Sequence, residues 1–258
     1  EAPFQLALNY LTDNKIDLDH VWIAVYSTAG MRNLKKTDPT KADAINNAIK
    51  LKLTSLYPTL METEVRTIEG QEEALYAWLD VNFLKNNFTA GAHTNGVVDV
   101  GGASTQIAYE VPASYKPSEE HIQQLNLFNK TYFLYLNSLL GGGQDDARTS
   151  MNSLYNSSQT NPCYIEGSVP SLTSLFNADS CTNAYQSLFF IQKITSENPQ
   201  SIEFIPTPPN TSQFVAISSV FYIYDFFKPE KNTISTLELK YKRSEEHTSE
   251  LQSRLQIS

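Results

Sequence analysis

This sequence predicts an α/β fold, and three stretches carry the prediction. Asp19 to Tyr26 is an apolar strand, followed after a small polar loop by a helical pattern over Thr40 to Tyr57. Val65 to Ile68 is a short strand, followed by a second helical pattern over Glu72 to Phe88. Val97 to Glu110 reads as strand, tight Gly101-Gly102 turn and strand. Strands interleaved with helices of this length belong to layered α/β architectures.

The elements follow in chain order. Residues 4–14 are helical, with Phe4, Leu8 and Leu11 near the helical period. In the first strand Val21, Ile23 and Val25 alternate with Trp22 and Ala24, so both faces are apolar. It runs into Ser27-Thr-Ala-Gly-Met-Arg32, either a ligand edge or a plain strand-to-helix turn with Gly30 at the bend. Ala44, Ile45, Ala48, Ile49 and Leu53 line one side of the next helix, and Pro58 ends it. Glu72 and Glu73 fall in the first turn of the helix after Gly70, where carboxylates suit the helix dipole. Glu119 to Leu140 reads as a long helix containing Tyr132, Phe133, Tyr135 and Leu136, stopped by Gly141-Gly-Gly143. A helix restarts over Asp145 to Tyr155, and 156–182 is an irregular polar excursion. Thr182 to Ile194 is helical, Glu197 to Gln213 is loop with a short strand suggested at 202–205, and Phe214 to Phe227 is an apolar, aromatic segment that fits a buried strand running into a helix, which periodicity alone does not decide.

The chain has 258 residues, enough for one large or two modest domains, and a formal net charge of −9. That charge argues against a nucleic-acid or anionic-membrane surface. No apolar run reaches the roughly 18 residues a membrane span needs. Cys163 and Cys181 are the only cysteines; spacing alone leaves free thiols and a disulfide equally open. His20, His93 and His121 are scattered, without metal-ligand spacing. There is no Gly-x-Ser-x-Gly elbow and no P-loop lysine signature.

The chemistry concentrates in Asp99-Val-Gly-Gly-Ala-Ser-Thr-Gln106. Glycines let backbone amides approach a phosphate closely, and a carboxylate at the strand end suits a hard divalent cation. The competing reading is an ordinary Gly-Gly hairpin.

Three motifs occur in order: Thr28-Ala-Gly-Met-Arg32, then Gly70-Gln-Glu-Glu-Ala-Leu-Tyr-Ala-Trp78 with Asn82-Phe-Leu84, then Asp99 to Gln106. Together they resemble the apyrase family of nucleoside triphosphate diphosphohydrolases. Weaker matches continue through Tyr135 to Arg148, Asn161-Pro-Cys163 and Phe214 to Tyr222, so the resemblance covers about 20–227. The wording around Leu75 to Asn82 is closer to bacterial members than to animal ones. The chain departs from the family at Ala74, where glycine is usual, and at Gln144, often basic. The family's first phosphate loop and its closing Cys/Trp segment have no counterpart here. The chain therefore reads as an internal fragment, with little turnover expected of it as it stands. Residues 243–258 read as translated sequencing adapter, not as evolved protein.

The resemblance implies a ribonuclease-H-like two-lobed fold, as in actin, sugar kinases and heat-shock chaperone ATPases. The lobes would be a partial 1–68 and a second 69–242. It implies metal-dependent hydrolysis of the terminal phosphate of nucleoside tri- and diphosphates. Glu73 would be the general base and Ser104 would orient the water. Gly101, Gly102, Ala103, Ser104 and Thr105 would bind phosphate, and Glu72 would cap its helix. Asp99, Gln106 and Thr28 would hold Mg2+ or Ca2+ through water. Tyr222 and Asp145 would contact the nucleoside, with core packing the competing reading for Tyr222. Arg32 either pairs with a carboxylate near the cleft or solvates a surface. Cys163 and Cys181 would form a disulfide, which implies a secreted or periplasmic enzyme; a monomer is expected. The alternative is a non-catalytic nucleotide-binding or interaction protein of the same fold. A chaperone-type phosphotransfer role is disfavoured, since those relatives lack the Glu73 motif paired with Thr28 to Arg32.

Overall fold

The computed structural model describes residues 2–115, 121–155, 161–164, 176–196, 208 and 213–227. The strand suggested at 202–205 and the adapter-like tail lie outside these residues. The chain divides into two units, Glu1–Glu73 and Ala74–Ser258.

The first unit contains helix α1 (Ala2–Asp13), strand β1 (Trp22–Ser27), helices α2 (Ala29–Thr37) and α3 (Pro39–Leu56), and strand β2 (Glu62–Thr67). The strands pair in parallel, from Trp22 opposite Glu62 to Ser27 opposite Thr67. Parallel pairing requires a crossover, which α2 and α3 supply. Asp38 starts α3: its carboxylate accepts from the Lys41 amide at 3.0 Å, and Pro39 fills the first helical position. At the carboxyl ends of both strands, Ser27 and Thr67 hydroxyls lie 2.9 Å apart, and Asn46 from α3 donates to Thr67 at 3.0 Å.

Helix α4 (Gly70–Leu84) carries the boundary between units. The second unit is a mixed five-stranded sheet in the order β5-β6-β4-β3-β7. Its strands are β3 (Gly96–Val100), β4 (Ser104–Glu110), β5 (Ile122–Leu127), β6 (Lys130–Leu140) and β7 (Phe214–Ser218). Only β3 and β7 pair in parallel; the other neighbours are antiparallel. Ala74 and Trp78 of α4 pack with Val97, Ala108, Tyr132, Leu134 and Leu136 into a buried core on one sheet face. Buried Asn82 pins the far end of α4, donating to the Trp78 and Asn95 carbonyls and accepting from the Asn95 amide. Helices α5 (Gln144–Leu154), α6 (Ala178–Ser196) and α7 (Ser219–Phe227) complete the described elements.

The long helix expected over Glu119 to Leu140 is a correction: the described part of that range, from residue 121 on, holds the β5–β6 hairpin. Tyr132, Leu134 and Leu136 are buried at every second position, the period of a strand with one face on the core. Phe128 and Asn129 turn the hairpin with φ of 48° and 60°, the left-handed pair a tight two-residue turn demands. The triple glycine therefore ends a strand and opens α5, and stops no helix. Phe214 to Phe227 is strand β7 running into helix α7, but the expected burial is a correction, since Phe214, Phe221, Tyr222 and Ile223 are exposed.

Candidate active site

Register assembles the centre of the site in the second unit. Asp99 stands opposite Gln106, and Gln106 opposite Ser138, so the three side chains form a row across β3, β4 and β6. Two residues back on the same face, Val97, Ala108 and Leu136 form the next row, inside the apolar core. The polar row is thus the margin of a packed face. Gln106 is 1% exposed and donates from Nε2 to the Ser104 hydroxyl at 2.5 Å and the Ser138 hydroxyl at 2.9 Å.

Asp99 Oδ1 is buried and has no hydrogen-bond partner among the described residues. A buried carboxylate oxygen without a donor is costly. A divalent cation with its water shell would satisfy it, and the all-oxygen donor set of Asp99 and Gln106 suits Mg2+ or Ca2+. His20 lies with Asp17 and Asp19, their ligand atoms within 4.8 Å, but that group is fully on the surface.

The glycine turn between β3 and β4 is docked on the start of α5. The Gln144 amide donates to the Gly101 carbonyl at 2.8 Å, and the Asp145 amide to the Gly102 carbonyl at 2.7 Å. The Gly141 amide donates to the Ala103 carbonyl at 2.8 Å. The Gln144 and Asp145 amides are ones that a helix start otherwise leaves unmet. The contact is backbone on backbone: a Cβ at Gly143 would lie 2.4 Å from Ala103 N and from the Gly102 carbonyl. The Gly101 amide closes the turn on the Ser104 carbonyl at 3.0 Å, while the Gly102 and Ala103 amides donate to no acceptor among the described residues. Thr105 alternates to the opposite sheet face from Ser104 and Gln106, and its hydroxyl donates to the Gly142 carbonyl at 2.8 Å.

In the first unit, Thr28 occupies the N-cap of α2 and its side chain makes no capping bond. Its carbonyl accepts from the Met31 and Arg32 amides. Arg32 is 8% exposed; its Nη1 donates to the Ile68 carbonyl at 3.0 Å and its Nη2 meets Glu73 Oε2 at 2.8 Å. Of the two readings of Arg32, the carboxylate pairing is the one found. Glu72 accepts from the Glu69 amide at 3.0 Å, the N-terminal half of a capping box, as its capping role required. It also takes a bidentate fork from Arg66 at 2.9 and 2.7 Å. Arg66 further donates to Glu64 and stacks 4.8 Å from the Tyr26 ring centre. The Arg66 hydrogen bonds hold the Glu72 and Glu64 carboxyls below the usual carboxylate range, and those carboxylates push the Arg66 guanidinium up.

Of the residues singled out in the sequence, Asp99, Ser104 and Gln106 share one polar face, with Gly101 to Ala103 at its end. Asp145 lies against the same turn, where a Cβ on Gly102 would be 2.9 Å from its Oδ2, and it pairs with Arg148 at 3.0 Å. Tyr222 is 71% exposed on α7, its ring beside Phe221, so it is not a core residue. Thr28 and Glu73 belong to the first unit. Cys163 and Cys181 form a disulfide with an S–S distance of 2.04 Å. Sequence reasoning missed Ser138, Gly143 and Arg66. Ser138 was hidden by the helical reading of 119–140, since the unbroken apolar run Tyr132 to Leu136 shows no strand period.

The polar row and the docked glycine turn belong to the mixed sheet of an α/β chain. The sequence pattern of the GDA1/CD39 (nucleoside phosphatase) family matches residues 5–250, and the chain belongs to that family. Among curated proteins it is 30% identical over 243 residues to ectonucleoside triphosphate diphosphohydrolase 2 of Homo sapiens, covering 78% of this chain and 48% of that protein. It is 35% identical over 133 residues to ectonucleoside triphosphate diphosphohydrolase 1 of Mus musculus, covering 47% and 26%. The chain thus spans a quarter to a half of the length of these relatives. A crystal structure of nucleoside triphosphate hydrolases from Neospora caninum aligns with a TM-score of 0.45 at 21% identity, covering 60% of this chain and 32% of that one.

Proposed function

We propose that this chain carries the catalytic machinery of a divalent-metal-dependent nucleoside tri- and diphosphatase that releases the terminal phosphate. The observation that carries the reading is the buried Asp99 oxygen, beside a glycine turn with two unspent amides, none of which has a partner among the described residues, in a member of a nucleoside phosphatase family. On this reading residues 1–68 and 69–242 are ribonuclease-H-like lobes.

Hydrolysis of a phosphoryl group needs an oriented water, an acceptor for its proton, and donors for the phosphoryl oxygens. The amides of Gly102 and Ala103 are the donors. Glu73 takes the proton of the attacking water. The Ser104 hydroxyl, fixed by Gln106, orients that water. Asp99 and Gln106, with an oxygen from Thr28, would hold a Mg2+ or Ca2+ ion through water, and that ion would neutralise charge on the phosphate chain. The exposed Tyr222 ring stacks on the base, and Asp145 faces the sugar. The disulfide, together with the ecto-enzyme names of the relatives, favours an extracellular or periplasmic setting.

The test is phosphate release from ATP and ADP, with Mg2+, Ca2+ or EDTA, by the longest reading frame containing these 258 residues. Glu73→Gln should abolish release while a non-hydrolysable analogue still binds. Release that survives EDTA or that substitution overturns the reading, and nucleotide binding without release by the parent would leave a non-catalytic binding protein.

A further inference from the structure

The turn that delivers Glu73 is braced by a side chain for which a guanidinium is required. Ile68 is the first residue after β2, and Glu73 lies in the first turn of α4. Arg32 reaches both, with Nη1 on the Ile68 carbonyl at 3.0 Å and Nη2 on Glu73 Oε2 at 2.8 Å. Its fork is therefore a strut across the strand-to-helix turn, one arm on backbone and the other on the carboxylate. The strut is almost dry, the two side chains being 9% and 17% exposed. Elsewhere the turn is held independently: the Ile68 amide donates to the Ser27 carbonyl at 3.0 Å, and Arg66 holds Glu72. Each neighbouring glutamate thus has its own arginine. The Arg66 pair holds the helix start, whereas the Arg32 pair ends on the side chain itself.

We infer that Arg32 is a positioning residue for Glu73, fixing one carboxylate oxygen so that the group meets its water in one orientation. The inference rests on Glu73 being the proton acceptor proposed above. A purely structural ion pair would predict lost stability and nothing specific in the chemistry; a positioning role predicts a kcat effect that a free guanidinium reverses. Lysine cannot replace arginine fully, because one ammonium cannot span two acceptors in fixed fork geometry.

The experiment measures ATP hydrolysis by the longest reading frame containing this chain, as parent, Arg32→Ala, Arg32→Lys and Glu73→Gln. Arg32→Ala should lower kcat about 100-fold, the scale of a misplaced catalytic group, and leave KM within about twofold. Low-millimolar guanidinium should restore activity to Arg32→Ala and do nothing for Glu73→Gln. Arg32→Lys, expected to fold whatever the fate of the alanine variant, should show the same kcat loss in milder form. Parental kcat in Arg32→Lys, or an Arg32→Ala defect confined to KM or unmoved by guanidinium, overturns the positioning role. Parental activity in Glu73→Gln overturns instead the assignment of Glu73, so the two failures are told apart.

Discussion

Replacing Gly143 by alanine puts a methyl group into the backbone of the glycine turn. The new Cβ would lie 2.4 Å from three atoms of Gly102 and Ala103, all main chain, so no side-chain rotation relieves it. Turn and helix start must separate. Separation strains the bonds from Gln144, Asp145 and Gly141 to the carbonyls of Gly101, Gly102 and Ala103, now 2.8, 2.7 and 2.8 Å. At about 1 kcal/mol net apiece, losing all three costs about 3 kcal/mol. With a urea m-value of about 2 kcal/mol/M, the unfolding midpoint falls by about 1.5 M. Far-UV circular dichroism of the 258-residue chain in urea measures this, and amide hydrogen exchange at Gln144 and Asp145 should quicken. Gly30→Ala is the matched control: its Cβ meets nothing within 4 Å and sits in α2, so it should gain up to about 1 kcal/mol. A Gly143→Ala midpoint within about 0.2 M of the parent would refute the docking of the turn on α5.

Two further outcomes follow from bonds already described. Glu72 and Glu64 titrate below the usual carboxylate range because Arg66 binds their ionised forms. Their contribution to stability is therefore complete above the unfolded carboxylate pKa and lost as pH falls through the depressed folded values. Arg66→Ala should flatten that acid loss in urea titrations between neutral and acid pH, and an unchanged slope would contradict it. Cys181→Ser opens a loop with a sequence separation of 18 and should cost about 3 kcal/mol, read as a lower thermal midpoint that reductant no longer changes.

What was legible in the sequence was whatever is encoded locally. The turn at Gly101-Gly102, the hydroxyls after it and the glutamates opening α4 are fixed by contiguous residues, so their motifs survive without a structure. The β5–β6 hairpin was lost because Tyr132 to Leu136 is apolar at nearly every position, which fits either period, and its turn uses Phe128-Asn129 with no glycine to mark it. Ser138 went with it, since only strand register brings it to Gln106. Gly143 was seen as a glycine but for the wrong reason: its φ is ordinary at −77°, and what demands glycine is the backbone pressed against it. Arg32 was held between two readings because its partner is 41 residues away and is chosen by the fold. Arg66 and Glu72, only six residues apart, were not paired because the intervening turn has no fixed geometry until β2 and α4 are in place.

The bonds between the glycine turn and α5 also set a direction of polarity. The peptides among the described residues are all trans, so a carbonyl aimed at α5 sends the amide of the same unit the opposite way. The units joining Gly101 to Gly102 and Gly102 to Ala103 both offer their oxygens to the first turn of α5. Their dipoles therefore stand in series with those of the helix, as an extra link at its positive end. The positive pole of α5 is carried through the turn and emerges at the Gly102 and Ala103 amides. An anion meeting those two amides feels an eleven-residue helix behind them without touching it.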